Sequence, residues 1–187
     1  GLCSEEKFYD QPAAAFCSGS LVGPDFVLTA GHCVQNLEDC QDTRFVFGFA
    51  HFKEGGVPDR FPKNQVFKCK NVISRELDDE KNLDYAIVQL DRKVPGREPL
   101  KISRHQDLKP GTQLVMMGHP MGLPLKVAAN AHMISVEREN FFYTDTDSFG
   151  GNSGSPIFNA STGEIEGILV QGKTDYFKPE GKSCKIS

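Results

Sequence analysis

Apolar residues in this chain come in short runs rather than long stripes. Runs rich in β-branched and aromatic side chains fall at Ser20–Val22, Phe26–Thr29, Arg44–Phe49, Gln65–Ile73, Tyr85–Leu90, Gln113–Met117, Ala131–Val136, Phe141–Thr144, Pro156–Phe158 and Ile165–Val170. Gly, Pro, Asn and Asp punctuate most of them at roughly ten-residue spacing, the pattern of an antiparallel sandwich or barrel. The predicted fold class is all-β. Helical periodicity is weak, apart from a turn starting near Thr29 and a stretch over Ser103–Leu108 with Ser103 as its cap. Between Asp91 and Gly111 the pattern breaks into a polar, proline-bearing connection, Asp91-Arg92-Lys93-Val94-Pro95-Gly96-Arg97-Glu98-Pro99. That segment predicts a crossing from a first β unit to a second. The chain has no internal repeat and no low-complexity tract.

A chain of 187 residues can bury a substantial core, either as one domain or as two small halves packed together. Hydrophobic residues make up 39% and charged residues 25%, the balance of an ordinary soluble protein, and no apolar run approaches the length of a membrane helix. Charge adds a negative result. With 21 basic against 25 acidic residues, a net charge of −4 and no basic stripe interleaved with aromatics, nothing here tracks a phosphate backbone. Neither nucleic acid nor a membrane is expected as a partner. Cysteines at 3, 17, 33, 40, 69 and 184 lack paired C-x-x-C knuckles, so disulfides are expected rather than zinc, and with them an oxidising compartment. The opening at Gly1, without initiator Met or leader pattern, fits a mature secreted chain or a trimmed one.

Three segments carry chemistry. Phe149-Gly150-Gly151-Asn152-Ser153-Gly154-Ser155-Pro156 embeds a serine in glycines just before an apolar strand. A nucleophilic serine needs such surroundings, because the backbone must bend sharply and aim nearby amides, here those of Gly151 and Ser153, at a developing oxyanion. Taken alone, a glycine cluster is more often only a tight turn. Val27-Leu28-Thr29-Ala30-Gly31-His32-Cys33 runs a strand into small residues and then delivers a histidine. A histidine fixed at a strand end can turn one ring nitrogen to a hydroxyl and the other to a carboxylate. Asn82-Leu83-Asp84-Tyr85-Ala86-Ile87-Val88-Gln89-Leu90 opens an apolar strand with an aspartate suited to that third place.

Together these segments resemble the chymotrypsin-like serine peptidases, in the chain order His32, Asp84, Ser153, and the resemblance covers residues 11–172. It implies two antiparallel six-stranded β-barrels with the active site in the cleft between them. Residues 1–95 would form the first barrel, with His32 and Asp84, and residues 96–187 the second, with Ser153. Only 34 residues follow Ser153, fewer than the family uses to finish that barrel, so the second barrel is expected to be incomplete and Cys184 to tether a further piece. The resemblance pairs Cys17 with Cys33, the bridge that anchors the histidine loop. Cys40 with Cys69 is the preferred second pair, and Cys3 and Cys184 are joined to each other or bonded elsewhere. The function implied is that of a secreted or periplasmic serine endopeptidase. It would work as a monomer on protein or peptide substrates, without cofactor or metal, with a propeptide or inhibitor as a further partner.

The chain departs from the digestive members. Asn152 stands where those enzymes carry an aspartate that pairs with a freed N-terminus, and Gly1-Leu2-Cys3 is not their N-terminal pattern. Asn152-Ser153-Gly154-Ser155-Pro156 and the loop Gly118-His119-Pro120-Met121-Gly122-Leu123-Pro124-Leu125-Lys126 resemble bacterial members, glutamyl endopeptidases included. Asp147 falls at the base of the primary pocket, Ser148 beside it, and Val170 and Gly172 on its wall, which implies cleavage after Arg or Lys. The alternative is a turn carboxylate at Asp147 and a non-basic specificity, since Phe149 replaces the usual pocket cysteine. Leu169 stands where glutamyl-specific members carry a pocket histidine. His51, His105, His119 and His132 share no ligand spacing, and Glu76-Leu77-Asp78-Asp79-Glu80 reads as a solvated loop rather than a calcium site. Two other functions compete: a catalytically silent binding scaffold, and an ester hydrolase, for which the chain lacks the Gly-x-Ser-x-Gly elbow.

Overall fold

The computed structural model describes residues 2–51, 56–104, 108–173, 177–181 and 183–186. Ten strands appear among them: β1 (Ser20–Gly23), β2 (Phe26–Thr29), β3 (Arg44–Val46), β4 (Val66–Asp78), β5 (Leu83–Leu90), β6 (Gln113–Gly118), β7 (Lys126–Arg138), β8 (Phe141–Thr144), β9 (Pro156–Asn159) and β10 (Ile165–Ile168). They form two antiparallel five-stranded sheets, ordered β1-β2-β5-β4-β3 and β10-β9-β6-β7-β8. The all-β, two-sheet architecture stands, with five strands per sheet where six were expected. The segment from Asp91 to Thr112 connects the two sheets, and Ile102 in it bridges to Ile165.

The strands follow the apolar runs, but tertiary pairing moves their ends. β4 and β7 each extend to 13 residues because partner strands continue to pair with their polar ends, and register shifts at Cys69/Asn71 and Val72/Ser74 bend β4. The run Arg44–Phe49 stops at Val46, short of Gly48 with its φ of +83°. The acidic stretch is the tip of the β4–β5 hairpin: Asp78 Oδ1 accepts from the Glu80 and Lys81 amides, and Lys81 Nζ lies 2.8 Å from Asp78 Oδ2. One helix, α1 (Leu37–Asp42), lay outside the apolar pattern; the Asn36 side chain caps it by accepting from the Asp39 amide at 2.9 Å. The turn after Thr29 is a short 3₁₀ segment, Gly31–Cys33. The expected Ser103–Leu108 helix includes residues 105–107, which lie outside the described residues, as does His105.

Each sheet curls around its own core. Leu21, Val27, Ala30, Val34, Phe67, Val88 and Leu90 fill the first, and Leu114, Met116, Ala131, Met133 and Ile157 the second. Val170, from the far half of the chain, packs against the first core, while its neighbour Leu169 packs against the second. Disulfides join Cys17 to Cys33, Cys40 to Cys69 and Cys3 to Cys184. No helix among the described residues is long and apolar enough to cross a membrane.

Candidate active site

The histidine turn is placed by strand pairing. β2 runs antiparallel to β5 and ends with Thr29 opposite Ala86, so the chain leaving β2 passes the residues that open β5. Asp84 stands there and binds His32 twice: Oδ1 accepts from the His32 backbone amide at 3.0 Å, and Oδ2 lies 2.6 Å from Nδ1 of the ring. With both oxygens engaged, the ring is fixed, and among the described residues its Nε2 has no hydrogen-bond partner. The Asp84 side chain keeps 17% of its accessible surface and that of His32 36%, so the carboxylate is screened while the imidazole can still reach a substrate. Gly31 makes the approach possible, since a Cβ there would collide with the Glu76 carbonyl and stand 3.1 Å from Asp84 Oδ1. Arg75 Nε donates to the Gly31 carbonyl at 2.9 Å and fastens the turn from β4. Sequence reading missed Arg75, because an arginine on a long polar strand carries no local signal of what it will face.

Ser153 sits in the loop before β9 and touches the histidine turn through its neighbours. The Ser18 amide donates to the Ser153 carbonyl at 2.7 Å, and the Gly154 amide donates to Leu169 at 2.7 Å. Gly154 has φ +82°, and a Cβ on it would collide with the Ser18 carbonyl and Thr29 Oγ1 and stand 2.9 Å from the Ala30 amide nitrogen. Glycine is required there both for its left-handed conformation and for the close approach to Ala30, two residues before His32. Cys33 Sγ lies 3.8 Å from the Ser153 carbonyl oxygen, a packing contact because the disulfide leaves no S–H. Asn152 is buried, its amide oxygen 3.4 Å from Ser155 Oγ and packed against Gly118.

The two amides singled out from the sequence have a defined setting. Gly150 gives its carbonyl to the Met121 amide at 2.6 Å, and the peptide bond between Gly150 and Gly151 is trans. In a trans peptide the N–H points opposite to the C=O, so the Gly151 amide faces away from Met121. Among the described residues, neither the Gly151 nor the Ser153 amide donates to a protein acceptor.

A cleft of about 1280 Å³ is lined by Asp84, Asp147, Ser148, Val170 and Gly172, among others; His32 and Ser153 are not part of its lining. Gly172 faces Ser148, whose Oγ would stand 3.4 Å from a Cβ at 172. Asp147 is exposed, and among the described residues its carboxylate accepts no hydrogen bond. The bound turn carboxylate of this region is Asp145, which accepts from the His132 amide and lies 3.4 Å from His132 Nδ1. That backbone hydrogen bond, with the imidazole beside it, holds the Asp145 carboxyl below the usual range. His119 stacks on Phe49 with ring centroids 5.6 Å apart and places Nδ1 2.9 Å from the Leu123 carbonyl; burial lowers its pKa. Cys17, His32 and Cys33 bring potential ligand atoms within 4.8 Å of one another, but the disulfide consumes both sulfurs and no thiolate remains to bind a metal.

Known proteins share this architecture. The solved structure of a Glu endopeptidase in complex with MPD superposes with a TM-score of 0.61 at 20% identity, covering 84% of this chain and 74% of that one. A scabies mite inactivated protease paralogue, S-D1, superposes with a TM-score of 0.64 at 16% identity, covering 84% and 76%. At these identities the likeness is one of fold. A probable periplasmic DegP-like serine endoprotease of Pseudomonas fluorescens is 37% identical over 94 residues, 47% of this chain and 19% of that protein. The first curated relatives are matched over 19% to 38% of their own lengths. Residues 17–168 match the family described as the trypsin-like peptidase domain, a span that holds the histidine turn, the strand of Asp84 and the serine loop, and the chain belongs to that family.

Proposed function

We propose that this chain is an extracytoplasmic serine endopeptidase that cleaves protein substrates after Arg or Lys. The observation that carries the reading is the double hold of Asp84 on His32, with the Ser153 loop packed directly against the same turn. In this mechanism His32 Nε2 takes the Ser153 hydroxyl proton as Oγ attacks the scissile carbonyl carbon. The oxyanion accepts from the Gly151 and Ser153 amides. His32 then protonates the leaving amine, and water, deprotonated by the same nitrogen, releases the acyl group. Residues to about 95 supply base and carboxylate, and the rest of the chain supplies the nucleophile. Three disulfides and the periplasmic DegP-like relatives support an oxidising, extracytoplasmic setting.

Basic specificity rests on Asp147. It lies in the cleft with Ser148, Val170 and Gly172, and its carboxylate is not engaged by a turn, so it is available to a guanidinium or ammonium. Against the silent-scaffold reading stands the retention of His32, Asp84 and Ser153 in one chain, with His32 and Asp84 paired at 2.6 Å. The test is cleavage of a mixed peptide library, with Ser153→Ala as the blank. Cuts confined to the bond after Arg or Lys, redirected by Asp147→Ser, are expected. Ser153-dependent cuts elsewhere would keep the peptidase and discard the basic pocket, and no Ser153-dependent cuts would sink the peptidase.

A further inference from the structure

The N-terminal segment before β1 lies against the loop between β6 and β7, which in turn reaches the serine loop. At its outer end Cys3 is buried, bonded to Cys184, and its amide donates to Lys185 at 3.0 Å. At its inner end the amides of Ala14 and Ala15 both donate to the Gly122 carbonyl, at 2.8 and 3.2 Å. Between these ends Lys126 ties the two segments together. Its Nζ donates to Gln11 Oε1 at 2.6 Å and to the Pro124 carbonyl at 3.1 Å, and stands 4.4 Å from the centre of the Phe8 ring. The segment is thus fastened at both ends and clasped in the middle.

The loop it clasps holds an unusual backbone. Met121 has φ 53° and ψ 21°, and Gly122 follows at φ +76°, two consecutive residues in the left-handed region. Glycine adopts that region freely, whereas methionine stays there only where its surroundings hold it. What the strained residue does is visible on its other side. Its amide takes the Gly150 carbonyl at 2.6 Å, and Gly151 packs so closely that a Cβ there would stand 2.9 Å from the Met121 nitrogen. If the 120–122 turn reorganised, the peptide plane that carries the Met121 N–H would leave the Gly150 carbonyl, and the peptide between 150 and 151 would be free to turn its carbonyl toward the substrate's oxygen.

We infer that residues 8–15, clasped by Lys126, act as a strap that keeps Met121 left-handed and so holds the Gly151 amide toward the reacting carbonyl. Lys126, Gln11 and Phe8 are positioning residues under this inference; none touches substrate. The inference rests on the peptidase reading for its catalytic consequence but not for its structural one. The strap also gives the chain a brace for its serine loop that uses no ammonium–carboxylate pair, in keeping with a buried, uncharged Asn152.

The experiment compares wild type with Lys126→Met, Gln11→Leu and Lys126→Arg by two readouts. The first is hydrogen exchange of the Met121 amide, with the Val88 amide of β5 as internal reference. Protection at Met121 should fall roughly tenfold in Lys126→Met and Gln11→Leu while Val88 is unchanged, as expected for local rather than global opening. The second is peptide hydrolysis, in which kcat should fall roughly tenfold with KM held, because the lost interaction is made with the transition state. Lys126→Arg keeps a donor and a cation over Phe8 and should restore most of both. Unchanged Met121 protection in folded Lys126→Met overturns the strap whatever the activity. Lost protection with an unchanged kcat overturns its catalytic role. A wild type without Ser153-dependent hydrolysis removes the peptidase reading, while the exchange result still decides whether the strap holds the loop.

Discussion

The turn that carries His32 and the loop that carries Ser153 meet at one place but are fastened by different means. On the histidine side the fastenings are a disulfide from Cys17 to Cys33, a charged hydrogen bond from Arg75 and two hydrogen bonds to one carboxylate. On the serine side the fastenings include backbone hydrogen bonds, the buried Asn152–Ser155 side-chain contact, and glycines at 151 and 154 packed too tightly to bear a side chain. The difference fits the roles proposed for the two segments. A base must keep one nitrogen on its carboxylate while its charge changes, which calls for electrostatic and covalent restraint. An oxyanion site needs bare amides, and amides are bared only where side chains are absent and the backbone bends sharply.

The largest expected effects break the steric side of this comparison. Gly154→Ala puts a Cβ into the Ser18 carbonyl and Thr29 Oγ1 at a φ of +82°, where a side chain is also strained. Unfolding in urea should show a loss of about 3 kcal/mol or more, combining backbone strain with overpacking. Turnover of the folded fraction should drop at least a hundredfold, as roughly 1 Å of misplacement suffices for that. Gly31→Ala, whose Cβ would meet the Glu76 carbonyl, should cost about 2 kcal/mol by overpacking alone. It should act on turnover by moving His32 off Asp84. If Gly154→Ala left stability and kcat as they are, close packing would not be what seats the serine.

Next come the bridges. The Cys17–Cys33 bond closes a separation of 16 residues, and replacing both cysteines by Ala should cost about 3 kcal/mol of stability. Cys40–Cys69 closes 29 residues, and its removal should cost about as much. Only the first bridge is adjacent to His32, so only the first double variant should lose turnover; equal kinetic losses from both would mean that general loosening is being read. Arg75→Met removes a charge-assisted hydrogen bond worth about 1.5 kcal/mol, which would appear as a roughly tenfold lower kcat if it is felt at the histidine.

The two sides also differed in how legible they were. The strands could be read from β-branched runs because a sheet's alternation is local, and Thr29 and Leu90 end the strands the pattern predicted. The residues of the histidine turn were recognisable because type and order both matter to the chemistry. Arg75, Met121 and Lys126 were not, because each acts on a segment far from it in sequence, and nothing local marks a strand arginine or a strand-end lysine as a fastening. His132 and His119 were set aside for want of ligand spacing, yet each has a structural partner, Asp145 and Leu123, that only the folded chain supplies. The helix at Leu37–Asp42 was missed for a similar reason: six residues carry too little periodicity, and its order comes from the Asn36 cap and the bridged Cys40.

The smallest expected effect probes the His119 brace beneath the Met121 loop. His119 is stacked on Phe49, its amide donates to Ser18 Oγ at 2.9 Å, and its Nδ1–H donates to the Leu123 carbonyl. Burial lowers its pKa below the ordinary 6.5; the Leu123 hydrogen bond opposes that shift and the charge of Lys126 adds to it. The unfolded chain therefore takes up the proton first as the pH falls through 6.5. The contribution of a neutral His119 is fully present above 6.5 and is lost progressively as the pH drops through the depressed folded value. His119→Asn cannot titrate and keeps a donor for Leu123, so its melting temperature should fall less steeply than that of wild type below pH 6.5, though it starts lower for want of the stacked ring. Taking the difference between the two curves removes what the two proteins share, the depressed Asp145 carboxyl included. Parallel curves would show that His119 braces the loop by shape alone and that its burial does not couple the serine side to pH.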